Sequence, residues 1–239
     1  MRLTALSLLA LLSLSACDKP AQENEFFPLA KGKTWRYQVE TVYDDPDSQT
    51  VSYTLEMRNL GSAELSDGST AWVRRSNMGH EYWLRSDEKG VTRVAMKSPL
   101  KERAVMDAEE TTVLPANPPT LGATWTNTTV PYILRRRNEQ PADFRYLPKY
   151  QNLPIVFTVV DTQAKLDTPA GRFEQCVRVE GKLDILLWND DAFAFKPNHL
   201  IQQEWYCPGV GLAQIERVEP TTSKLLQGGK MRMRLLETY

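Results

Sequence analysis

Three thiols and two imidazoles are the side chains of this 239-residue chain with the widest chemical range, and their neighbours decide what each could do. Cys17 follows Leu14, Ser15 and Ala16 at the end of an apolar run, residues 3–14, that is itself preceded by Arg2. A cationic residue, an apolar stretch and small residues before a cut are the three regions of an export signal. Export would put Cys176 and Cys207 in an oxidising compartment, where disulfides persist. Both fall on predicted strands, and a bridge between them would close a loop of about thirty residues, worth roughly 3–4 kcal/mol from chain entropy. On its strand Cys176 alternates in phase with Glu174, Arg178 and Glu180, not with Phe173, Val177 and Val179, which predicts a bridge near a solvent-leaning face. Two unconnected cysteines, one buried and one exposed, are the alternative.

Other reactive arrangements are thin. His80 and His199 stand in no metal-ligand spacing such as H-E-x-x-H, and C-x-x-C is absent. Both histidines read as exposed turn residues. There is no G-x-S-x-G nucleophile elbow and no glycine-rich phosphate loop. The acidic clusters Asp44-Asp45-Pro46-Asp47 and Asn189-Asp190-Asp191 lack the ligand spacing and distal glutamate of a dedicated calcium loop. They read as turn formers between strands. The expectation is therefore no catalytic residue, no metal ligand, no cofactor and no enzymatic activity, a hydrolase with an unrecognised arrangement being the remotest alternative.

The four residues Leu14-Ser15-Ala16-Cys17 resemble a bacterial lipobox. That resemblance implies removal of residues 1–16 and lipid on the thiol and amine of Cys17. The alternatives are a membrane span, for which the run is shorter than the about 20 apolar residues that crossing the hydrocarbon takes, and an ordinary cleaved leader. Multiple acyl chains anchor stably, at about 0.8 kcal/mol per buried methylene, so the mature protein is expected to be tethered to a bacterial membrane. Residues 18–25, polar and proline-containing, suit a flexible linker that reaches no more than roughly 30 Å. Asp18 resembles the sorting signal that holds enterobacterial lipoproteins on the periplasmic side of the inner membrane; the outer membrane stays open as the alternative.

Composition then bounds the body. Losing Arg2 with the leader leaves 28 cationic against 30 acidic side chains, and such balance argues against nucleic acid as a partner. Fifteen prolines and twelve glycines leave little room for helices of ordinary length. Trp35, Tyr37, Val39, Thr41 and Tyr43 alternate with Arg36, Gln38, Glu40 and Val42, and residues 51–58 alternate in the same way. That period of two puts one set on a core face and the other in water. Further strands are predicted at 71–75, 81–85, 91–96, 155–162, 173–180, 201–207, 213–218 and 231–235, with Asp67-Gly68, Lys89-Gly90, Pro208-Gly209 and Gly228-Gly229 as turns. Only residues 104–110 read as a short helix. The fold expected is all-β: an antiparallel meander forming a curved sheet, half-barrel or sandwich.

An internal echo suggests how the strands are grouped. Pro28-Leu29-Ala30-Lys31-Gly32-Lys33-Thr34-Trp35 opens the body, and Pro119-Thr120-Leu121-Gly122-Ala123-Thr124-Trp125 reopens it about ninety residues later. The reading is two similar halves, residues 26–118 and 119–239, after a signal peptide (1–16) and a lipidated tether (17–25); chance similarity between β-meanders is the alternative. Phe26-Phe27-Pro28-Leu29 with Gly32 and Trp35, then Thr168-Pro169-Ala170-Gly171-x-Phe173-x-x-Cys176, then Trp205-Tyr206-x-Pro208-Gly209-Val210-Gly211, resemble motifs of a family of bacterial lipoproteins and periplasmic proteins of unknown function. The resemblance implies a β-rich envelope protein and no particular catalytic residue. Cys207 departs from the small, uncharged residue that the resemblance implies at that position.

Two features suit binding. Ile185-Leu186-Leu187-Trp188, an Asn189-Asp190-Asp191 turn and Ala192-Phe193-Ala194-Phe195 form a predicted hairpin that is apolar on both faces. A hairpin in water should show one polar face. Ile185, Leu187, Trp188, Phe193 and Phe195 are therefore candidate contacts for a protein partner or an apolar ligand, unless the long insertion at 135–154 covers them. Arg135-Arg136-Arg137, with Arg145 and Lys149, either meets anionic headgroups or is ordinary exposed charge. The function expected is a non-enzymatic, membrane-anchored envelope lipoprotein of binding or assembly type, the alternative being a carrier of a lipid or another lipophilic molecule.

Overall fold

The computed structural model describes residues 24–44, 50–116 and 118–239. Cys17, Asp18 and the signal sequence lie outside the described residues, as do Asp45, Pro46 and Asp47. The alternating segments become strands: β1 (Thr34–Tyr43), β2 (Val51–Glu64), β3 (Thr70–Ser76), β4 (Glu81–Asp87), β5 (Gly90–Lys97), β6 (Val105–Pro115) and β7 (Thr124–Thr129). After a two-residue β8 (Arg135–Arg136) come β9 (Leu153–Thr168), β10 (Gly171–Asn189), β11 (Ala194–Cys207), β12 (Gly211–Glu219), a two-residue β13 (Leu226–Gln227) and β14 (Gly229–Thr238). Helical structure among the described residues is two single 3-10 turns, Phe144–Tyr146 and Pro148–Tyr150.

Twelve strands form one antiparallel sheet in the order β6-β5-β4-β3-β2-β1-β14-β12-β11-β10-β9-β7, while β8 and β13 pair separately. The all-β expectation holds, in the form of one curved sheet and not a two-sheet sandwich. The sheet nearly closes on itself. At the seam between β6 and β7, Trp125 Nε1 and Asn127 Nδ2 donate to Thr112 O at 3.1 and 2.7 Å, so side chains stand in for a main-chain ladder. The helix expected at 104–110 is corrected: Val105, Met106 and Thr111 pair with Met96, Ala95 and Arg93 on β5. Tertiary pairing overrides the local helical preference of that segment, and two register shifts absorb the mismatch.

About eight strands make a barrel that strand side chains alone can fill, and this sheet has twelve. Chain segments fill the remainder. One continuous core joins Leu84, Val91 and Leu114 of the β4–β6 region to Ile155, Val159, Val179, Leu183 and Leu200 of β9–β11. It takes in Phe26, Phe27 and Leu29 from the N-terminal segment and Leu134 and Phe144 from the insertion before β9. The N-terminal segment enters at the end where β1 begins and β11 finishes. The insertion packs at the opposite end, where β8 pairs with β13.

Candidate functional site

At the N-terminal end, Arg74 holds the entering chain in place. Its guanidinium lies 4.1 Å from the Phe27 ring centroid and 4.3 Å from that of Trp35, and donates to Asn59 Oδ1 and to Pro28 O, both at 2.9 Å. Asn59 Nδ2 in turn donates to Pro28 O and Ala30 O at 3.1 Å. Burial pulls Arg74 down to about 10, and the stacked rings supply part of the attraction that water would otherwise provide. Gly209 N donates to Glu25 O at 2.8 Å and Trp35 Nε1 to Val210 O at 2.7 Å. Gly211, at φ +89°, leaves room for Pro28, whose Cδ would lie 3.0 Å from any Cβ there. Residues 25–35 and 209–211 therefore meet at one end of the barrel, where Gly209, Val210 and Gly211 strap the N-terminal segment down.

The Cys176–Cys207 disulfide spans 31 residues at this same end. The solvent-leaning face predicted for it is corrected: both cysteines are fully buried, among Ala164, Leu166, Trp205 and Ala213. The cause is a local break in alternation. Gln175 adopts φ 58°, the β9–β10 register shifts on either side of Cys176, and Cys176 and Val177 both end up buried.

A chain of buried polar groups runs along the barrel between its ends. Arg217 and Glu219, 1 % and 0 % exposed, form an ion pair at 2.6 Å. Arg217 also donates to Gln202 Oε1 at 2.8 Å, Val130 O at 3.0 Å and Thr129 Oγ1 at 3.2 Å, and its guanidinium lies over the Tyr132 ring. Glu219 accepts from the main-chain N–H of Tyr132, Ile133 and Leu134 at 3.1, 2.8 and 2.8 Å. Gln202 passes the line on to Glu204, which also accepts from Tyr206 Oη. Burial raises the Glu204 carboxyl, although its two donors oppose the shift. Glu204, Arg217 and Glu219 are each buried and bonded within the line. Its structural effect is to fix residues 129–134 and hence the insertion that follows them.

That insertion and the β10–β11 hairpin tip enclose a cleft of about 300 Å³, lined by Phe144, Leu147, Tyr150, Leu187, Trp188, Phe195, Leu225 and Leu226, with Arg136, Asn138, Glu139 and Ser223 as its polar part. The predicted contact residues divide here. Ile185 and Leu187 are 4 % and 5 % exposed and belong to the core, as the covered alternative required. Phe193 and Phe195 are 82 % and 61 % exposed, and Trp188 packs edge-on against Phe195 at 5.6 Å. Leu225, 60 % exposed, extends the apolar surface of the opening. The segment at 222–226 completes the cleft without having been anticipated: Lys224 N bonds Asp190, and Asn189 Nδ2 reaches Thr222 Oγ1 at 2.8 Å. Its sequence signal is the Leu225-Leu226 pair.

The basic run has work within the fold. Arg135 and Arg145 pair with Asp143, Arg136 with Glu139, and Arg137 Nε donates to Leu226 O at 2.9 Å. His80 sits in the β3–β4 turn, its N–H bonded to Ser76 Oγ. His199 departs from the expected turn: it is exposed on β11, 2.6 Å from Asp184. Asn189 and Asp190 act as turn residues, capping Ala192 N and Trp188 Nε1. No group of three or more His, Cys, Asp or Glu among the described residues could hold a metal ion.

No family model matches the chain. No curated protein matches it either. Two crystal structures are similar to it along most of their length. One is of a candidate lipoprotein from Parabacteroides distasonis, 14 % identical with a TM-score of 0.37, the alignment covering 91 % of this chain and 100 % of that one. The other is of a candidate exported protein with a YmcC-like fold from Bacteroides fragilis, 16 % identical with a TM-score of 0.36, covering 90 % and 99 %.

Proposed function

We propose that this chain is a membrane-anchored envelope lipoprotein, held by lipid on Cys17, that works by binding and not by catalysis, and that its cleft takes an apolar side chain of a protein partner. The observation that carries the docking reading is the pairing of a small apolar cleft with a large exposed ring in its wall. Phe195, 61 % exposed, lines a concavity floored by Phe144 and Leu187, and Phe193, 82 % exposed, stands two residues away on the same hairpin. Contiguous exposed apolar surface of this kind marks interaction sites, and a pocket filled by one anchor side chain within a less energetic rim is the usual anatomy of a protein contact. At about 300 Å³ the cleft is at the lower limit for enclosing a whole small ligand. The packed core and the buried polar line leave the barrel interior to side chains, which weighs against a carrier that holds its cargo there. The binding reading is supported by the polar residues as well, since Arg136 and Glu139 at the cleft satisfy each other.

The test is co-purification of the full chain from its own membranes, with Phe193→Asp and Trp188→Gln introduced together. A loss of about 30-fold in recovered partner, with unfolding temperature unchanged, is the effect expected from removing a central anchor contact. Undiminished recovery would overturn the docking reading. An apolar molecule in stoichiometric amount in an organic extract of the wild type, absent from the variant, would replace it with the ligand-carrying one. For the anchor, Cys17→Ser should move the chain from the membrane to the soluble fraction.

A further inference from the structure

We infer that the partner segment entering the cleft is acidic and comes from a protein lying beyond the membrane surface, an inference that rests on the docking reading of the cleft. The segments that build the cleft, residues 135–150, 189–196 and 222–227, carry seven Lys or Arg against four Asp or Glu, in a chain whose overall charge is −1. The arginines are engaged by Asp143, Glu139 and main-chain oxygens. The lysines are not: among the described residues no carboxylate pairs with the exposed Lys149, Lys196 or Lys224, each a chain neighbour of a cleft-lining residue (Tyr150, Phe195 and Leu225), and Lys149 stands 5.8 Å from the Phe195 ring. At the hairpin tip Asp190 is turned inward onto Trp188 and Lys224 N, and Asp191 beside it is exposed. An apolar cleft ringed by uncompensated cations complements a segment that brings carboxylates around one aromatic or leucine side chain, and such complementarity gives both steering and selectivity.

Anionic headgroups offer the same charge, but the topology sends the cleft away from them. The N-terminal segment is strapped at the Tyr206–Gly211 end, where Gly209 holds Glu25. The cleft is at the Phe195 end of β11, eleven residues from Tyr206, or roughly 35 Å of strand at about 3.3 Å per residue. A lipid on Cys17 would thus tether the chain from its clamp end and leave the cleft at the end remote from the attachment. A second copy of the chain would bring the same cations to the interface and repel.

The experiment places p-benzoylphenylalanine at Phe193 of the full chain in the cells that make it, and maps the photo-adduct by mass spectrometry. The result expected is an adduct on an acidic segment of another envelope protein. Lys149→Glu, Lys196→Glu and Lys224→Glu together should reduce it at least about tenfold, as loss of three complementary rim charges implies, while the unfolding temperature holds. An adduct on a neutral or basic protein segment, or one insensitive to the three reversals, overturns the acidic assignment and leaves docking intact. An adduct on phospholipid or on a second copy overturns the assignment of partner class. Absence of any adduct sinks both readings.

Discussion

Glu219 is the residue whose loss should be felt farthest from where it sits. Its carboxylate is the counter-ion of Arg217 and the acceptor for three consecutive main-chain N–H groups, those of Tyr132, Ile133 and Leu134. Glu219→Gln keeps the shape, removes the charge and leaves the Arg217 guanidinium, 1 % exposed, without a partner of opposite sign. Breaking one member of a buried ion pair costs about 3–5 kcal/mol. For a body of this size each kcal/mol lowers the unfolding temperature by about 2–4 °C, which puts the expected drop at roughly 10 °C by near-ultraviolet circular dichroism. Hydrogen exchange should localise the damage, the amides of 132–134 losing protection ahead of those of β10 and β11. Adding Arg217→Met to Glu219→Gln should restore part of the loss, because the uncompensated charge is gone, the glutamine oxygen still accepts, and only the N–H facing its new amide nitrogen is left without an acceptor. A melting temperature within 2 °C of wild type, with 132–134 still protected, would refute the argument that this pair fixes the insertion.

Three further outcomes are expected. Cys176→Ser with Cys207→Ser should cost roughly 3–4 kcal/mol for a loop of 31 residues, read by urea denaturation, and the unreduced wild type should be two hydrogens lighter than the reduced protein by mass. Arg74→Met should free the N-terminal strap, so that limited proteolysis cuts at 26–31 at least about tenfold faster than in wild type while the β9–β11 core stays intact; equal rates would remove Arg74 from that role. Glu204 has a carboxyl raised above its ordinary value of 4.5 by burial, so the folded state binds its proton more tightly than the unfolded state does. Its stabilising contribution is full below pH 4.5 and is lost as pH rises through the higher folded value. Glu204→Gln should therefore gain on wild type between pH 4 and pH 7 in urea midpoints, and a gap that does not change with pH would contradict the assignment.

Strand positions were legible because period-two alternation is imposed by the pleat, and Trp35, Tyr37 and Val39 duly point into the core. What alternation cannot say is which face is wet. Alternation gives no sign that Glu204, Arg217 and Glu219 are buried; they form the polar line with half-buried Gln202 because a sheet this wide has interior space that apolar strand residues do not fill. A single left-handed residue defeated the pattern at Cys176: Gln175 inserts into the strand and turns the next side chain inward. The hairpin at 185–195 was visible as a place of excess hydrophobicity, but its division into covered and exposed residues depends on Phe144 and Leu226, brought there from 41 residues before and after Ile185. The Arg74 clamp left no local trace, since its partners come from β1, β2 and the segment before β1.

The pairing of β1 with β14 also has a temporal meaning. Thr34 is bonded to Thr238 across a separation of 204 residues, and that ladder is what joins β1–β6 to the strands from β7 onward. Contacts so distant along the chain make for slow folding. Until residues 229–238 are available, the early strands have an unpaired edge and the barrel cannot close. For a lipoprotein of the kind proposed, which must stay unfolded while it threads through a translocon, this topology delays completion of the sheet until residues 229–238 have arrived.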